Sequence, residues 1–119
     1  MGLEIPPSFS TLRGGHGAES ESREIVVREA QAQVIGRLLP RVRDVRRMGS
    51  AAADIAWTAA GRFDAFYERG VQIWDIAAGL VLCEAAGLEV RELAADGPLP
   101  SGIVVAPAGL IEELTALVT

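Results

Sequence analysis

Between residues 27 and 38 apolar side chains recur at three- and four-residue steps. Val27, Ala30, Val34, Ile35 and Leu38 are set against Glu29, Gln31, Gln33 and Arg37. That spacing predicts one amphipathic helix, capped by Ser20 or Ser22 and ended by Pro40. Val42 to Met48 alternates in part and reads as a strand. "GS" at 49–50 breaks it, and Ser50 is a fitting N-cap for "AAADIAWTAA", a helix that Gly61 stops. "DAFYE" at 64–68 reads as a short aromatic strand, after which "RGVQIW" loops into a helix running from Asp75 to Gly87. "LEVREL" at 88–93 and "IVVA" at 103–106 are two further strands, separated by the turn "DGPLPSG". Leu110, Ile111, Leu114, Leu117 and Val118 form the stripe of a last helix, with Glu112 and Glu113 near its positive end.

The predicted order is α-β-α-β-α-β-β-α, an α/β layered arrangement over residues 22–119. Residues 1–21, rich in Pro, Gly, Ser and Thr, are expected to be a flexible lead-in. The helices at 51–60 and 75–86 are apolar nearly all round. A helix without a polar face must be covered on both sides, so the chain is expected to be part of something larger.

Composition narrows the chemistry. The 119 residues bound one modest domain, and 50% apolar with 23% charged residues is a globular balance. A net charge of −5 argues against general nucleic-acid binding, and "RVRDVRR" at 41–47 reads as a solvated strand or its flank. The one cysteine, Cys83, excludes an intrachain disulfide; among Leu80, Val81 and Leu82 it reads as a packed, inert thiol. The one histidine, His16, lies in a Gly-rich stretch, so no histidine triad or zinc site is expected. No apolar run reaches the ~18–20 residues of a membrane span. "MGLEIPPSFS" lacks the basic start and apolar core of a signal peptide. The expectation is a soluble, cytoplasmic protein with neither a membrane nor a nucleic-acid partner.

Asp75 stands at the head of the apolar run "DIAAGLVLCEAAG". An aspartate there reads as an N-cap. Its neighbours add a second reading. Glu68 closes a strand seven residues earlier, and "GSAA" at 49–52 opens a helix whose free N–H groups and dipole suit a phosphate. A hard cation held by carboxylate beside such a terminus is a chemically sensible pair. Trp74 reads as a packing residue, and Asp54 as a cap or an arginine partner without a catalytic role.

"RRMGSAAADIAWTAAGRFDAFYERGVQIWDIAAG" resembles the C-terminal signature region of the inositol monophosphatase family, lithium-sensitive, magnesium-dependent phosphomonoesterases. The pattern W-D-x-A-A-G stands as Trp74, Asp75, Ile76, Ala77, Ala78 and Gly79, with "GSAA" and "YERG" upstream. The resemblance covers roughly residues 25 to 119 and implies the C-terminal half of a layered αβαβα sandwich. It implies that Asp75 is a ligand of Mg²⁺ and that Glu68 accepts hydrogen bonds from substrate hydroxyls. The backbone around Gly49, Ser50 and Ala51 would line the substrate pocket.

The implied reaction is hydrolysis of inositol 1-phosphate, or a similar small phosphorylated substrate, by metal-activated water with no covalent phosphoenzyme. A homodimer is implied for the full-length form. The family's first-half ligands, in a Glu-containing helix and an Asp-Pro-Ile-Asp-Gly-Thr type motif, have no counterpart here, since "DP" does not occur. One carboxylate does not hold two or three magnesium ions. The chain is therefore expected to supply the substrate-recognition half and to be inactive alone. The alternative is a non-catalytic remnant or interaction module.

Overall fold

The computed structural model describes residues 18–119, with side chains from Ser22 onward. The elements are α1 (Ala18–Leu38), α2 (Ala51–Ala59), β1 (Phe66–Arg69), α3 (Ile73–Ala85), β2 (Glu89–Leu93), β3 (Gly102–Ala106) and α4 (Ile111–Val118). A 3₁₀ turn at Leu39–Arg41 follows α1 and contains Pro40, whose missing N–H cannot continue the helix. Ser20 and Ser22 fall inside α1, so neither is its cap. The expected lead-in at 1–21 lies almost wholly outside the described residues.

The three strands form an antiparallel sheet in the order β1-β3-β2. β3 is the centre, and its run Ile103–Ala106 is wholly buried, as a strand covered on both faces must be. Strand alternation divides the core in two. Ile103, Val105 and Phe66 pack with Ile55, Ile76 and Cys83 of α2 and α3. Val104, Ala106 and Leu93 pack with Val34 and Leu38 of α1 and Ile111, Leu114 and Val118 of α4. The result is three layers, a helix pair on each face of the sheet.

One expected element is absent. Val42 to Met48 forms no strand, so two helices precede β1. Side-chain carboxylates, not a neighbouring strand, take two of its backbone donors. The Val45 N–H donates to Asp44 Oδ1 at 2.8 Å, and the Met48 N–H to Asp54 Oδ1 at 3.1 Å. The segment's partial alternation buries no face, since Val42 and Val45 are only half-buried and the arginines are exposed.

The helix expected from Asp75 begins two residues earlier, at Ile73, behind an N-cap at Gln72. Its cover is one-sided. Ile76 and Cys83 are buried, while Trp74 is 77% exposed, Val81 65% and Leu82 54%. Cys83 donates to the Ile55 carbonyl at 3.6 Å, and burial pushes its thiol pKa up, which suits an inert core group.

Candidate functional site

Glu68 shares the face of β1 that bears Phe66, the face turned to α2 and α3. Its side chain is 20% exposed, and Arg47 Nη2 meets its Oε1 at 3.2 Å. The other oxygen, Oε2, is closed to solvent and without a hydrogen-bond partner. Burial raises the Glu68 pKa; Arg47 works against that, and the Asp54 carboxylate adds to it.

These groups line a cleft of about 600 Å³ that runs beside β1 and the 42–47 segment, closed at one side by Ile35 and Leu38 of α1. Asp54 is buried in the first turn of α2, and its bond to the Met48 N–H fixes the chain next to Arg47. Ser50 caps α2 as its sequence suggests, Oγ accepting the Ala53 N–H at 3.3 Å. The first-turn N–H groups of α2 thus begin at the exposed Gly49–Ser50 step, at the positive end of the helix.

Asp75 is exposed and is the third residue of α3, so it is not the N-cap. The cleft lining contains Glu68 but not Asp75, Gly49, Ser50 or Ala51. Those residues lie at the starts of two helices that touch. Gly79, one turn beyond Asp75, packs on Ile55, one turn beyond Ala51. The sequence also hides two members of the cleft. Arg47 sits in a run that reads as solvated, and Asp54 reads as a lone charge on an apolar helix. The signal that joins them is the short distance in sequence between Met48 and Asp54, which suits a carboxylate reaching back over a helix start.

The sequence model of the inositol monophosphatase family matches residues 8–118. The chain belongs to the inositol monophosphatase family. An inositol-1-monophosphatase of Mycobacterium leprae is 48% identical over 94 residues, which is 77% of this chain and 32% of that protein. The inositol-1-monophosphatase SuhB of Mycobacterium tuberculosis is 48% identical over 91 residues, 75% of this chain and 31% of that one. A Nus factor SuhB of Xylella fastidiosa is 46% identical over 70 residues, 58% of this chain and 26% of that protein. Among solved structures, the Thermotoga maritima IMPase TM1415 superposes with a TM-score of 0.64 at 30% identity, covering 73% of this chain and 35% of that one. The chain spans about a third of the length of the first two relatives. The layered α/β architecture is that of part of the family fold.

Metal dependence is general in the family. Among the described residues, no group of three or more His, Cys, Asp or Glu is placed to hold an ion. The donors here do not fit a complete magnesium site. Asp75 offers a single carboxylate.

Proposed function

We propose that this chain is the substrate-recognition part of a magnesium-dependent phosphomonoester hydrolase acting on inositol 1-phosphate or a similar polyol phosphate. The observation that carries this reading is Glu68, a carboxylate drawn into a cleft and held at one oxygen by Arg47. An ionised carboxylate only accepts hydrogen bonds, which matches the hydroxyls of a polyol. The start of α2 at Gly49, Ser50 and Ala51 suits the phosphate. Asp75, exposed at the head of α3, contributes one ligand to a magnesium ion whose remaining ligands lie outside these residues. A cytoplasmic location and a homodimeric enzyme belong to the same reading. The incomplete donor set supports a second reading, a non-catalytic interaction module.

The test is to assay the 119-residue chain alone, then mixed with the complementary amino-terminal part of the Mycobacterium leprae relative, with inositol 1-phosphate and magnesium. The chain alone gives no turnover. The mixture gives turnover that Asp75→Asn lowers by orders of magnitude, whereas Glu68→Gln weakens substrate binding and leaves the magnesium midpoint in place. A folded, associated mixture without turnover establishes the second reading.

A further inference from the structure

The charges that act on Glu68 come from elements other than its own strand. Arg47 reaches it from the 42–48 segment, and Asp54 acts on it from α2. Across the ladder it faces Ile103 of β3, an alkyl chain with no charge to offer. The other ionisable groups on the same cleft are Arg43, Asp44, Arg46, Arg62, Asp64, Tyr67 and Arg69. Tyr67 and Arg69 alternate to the opposite face of β1, where the two Nη groups of Arg69 donate to backbone carbonyls.

Because Oε2 is closed to solvent, a hydroxyl arriving from the cleft meets the carboxylate at Oε1, beside the guanidinium. A carboxylate oxygen has lone pairs enough to accept from both. Two things threaten that arrangement, protonation of a partly buried acid and rotation of its side chain. Arg47 opposes both. Its own side chain is 71% exposed, so it keeps its hydration while it holds Oε1. The Asp54–Met48 bond, at 3.1 Å, anchors the residue next to Arg47 and so limits where the guanidinium can go.

Resting on the reading of Glu68 as the acceptor of substrate hydroxyls, we propose that Arg47 is a positioning residue for Glu68, keeping Oε1 ionised and turned to the cleft, with Asp54 anchoring the segment that carries it.

Carbon-detected NMR titration of the Glu68 carboxyl in the complete 119-residue chain tests this, with Glu68→Gln giving the assignment. Arg47→Met moves the Glu68 midpoint upward and Arg47→Lys returns it toward the parent value. Asp54→Asn, which keeps an oxygen for the Met48 N–H, moves it downward while near-ultraviolet circular dichroism stays native. Unfolding moves the midpoint the other way from Arg47→Met, toward the ordinary glutamate value. An unmoved midpoint in folded Arg47→Met overturns the proposal. If that variant does not fold, the parent chain in 1 M salt decides. Screening of the exposed pair raises the midpoint, and no rise overturns the proposal.

Binding of myo-inositol, followed by chemical-shift changes, separates this from the reading it rests on. Inositol binding that Arg47→Met weakens about tenfold supports both. A midpoint that responds to Arg47 without inositol binding leaves the positioning role in place and removes the hydroxyl-acceptor reading. Inositol binding with a midpoint indifferent to Arg47 does the reverse.

Discussion

Gly79 of α3 lies so close to Ile55 of α2 that a single added methyl at Gly79 would collide with the Ile55 Cγ2. Ile55 is fully buried and also meets Cys83 through its carbonyl, so it has nowhere to retreat. The glycine that ends W-D-x-A-A-G is therefore a packing residue, the point at which two helices cross. Gly79→Ala is expected to destabilise the chain by about 1–3 kcal/mol, the usual cost of overpacking. Ile55→Ala, which removes that Cγ2, should cost less in the Gly79→Ala background than in the parent chain. Urea unfolding of the two single variants and the double gives the coupling.

Arg69 is 7% exposed and donates to three backbone carbonyls, Ala94 at 3.0 Å, Pro100 at 2.7 Å and Val118 at 3.4 Å, and it also acts on the Tyr67 hydroxyl beside it. It ties β1 to the turn before β3 and to the last turn of α4. Arg69→Met keeps the bulk of the stem but leaves three acceptors without their donor. The expected cost is about 3 kcal/mol or more. Thermal and urea melts check it, and retention of stability within about 1 kcal/mol would show that water replaces the guanidinium.

How far the chain could be read in advance varied along its length for physical reasons. α2, β2, β3 and α4 carry strong periodic patterns and local punctuation. Gly61 and Gly87 stand just past α2 and α3 with φ of +79° and +84°, a conformation that glycine adopts without strain. The 42–48 segment forms no strand, because partial alternation does not say whether a neighbouring strand exists. The cleft roles of Asp54 and Arg47 are not legible in the sequence because they come from contacts between segments. Glu68 and Asp75 drew attention through motif residues, but only folding shows that one is withdrawn into a cleft and the other exposed within the first turn of α3.

The Glu68 carboxyl makes stability depend on pH with a definite sign. Burial raises its folded-state pKa above the ordinary 4.5, so the folded chain holds this proton more tightly than the unfolded chain does. The stabilisation is complete below the ordinary value and is lost as pH rises through the folded-state value. Glu68→Gln removes that loss. Across melts from about pH 4 to pH 7 the variant should gain on the parent chain as pH rises. Glu112 has the opposite sign, its pKa lowered by the hydrogen bond from Arg91 at 2.7 Å, but both side chains belong to a solvated surface pair. Glu112→Gln should therefore barely alter the profile.

The outer face of α3 should drive association of the isolated chain. Ile73, Trp74, Val81 and Leu82 are each about half exposed or more, on a helix with two charges in 13 residues. Exposed apolar surface of this kind on one helix favours burial against a partner. Sedimentation velocity should show mass rising with concentration, and Val81→Ser with Leu82→Glu should return the chain to a monomer. Monomeric behaviour of the unaltered chain at high concentration counts against the idea.

Such association has a built-in limit that follows from the strand order. With β3 in the middle, the sheet ends on one side at β1, four residues long, and on the other at β2. Strand-by-strand addition of further copies would have to start at one of these borders. β2 carries Glu89, Arg91 and Glu92 within five residues, and Arg43, Arg46 and Arg47 line the cleft beside β1. Like charges brought into register by an incoming identical strand repel, and so short a strand offers few backbone bonds in return. Copies of this chain that meet should do so through helices, in assemblies of finite size, and not as growing fibrils.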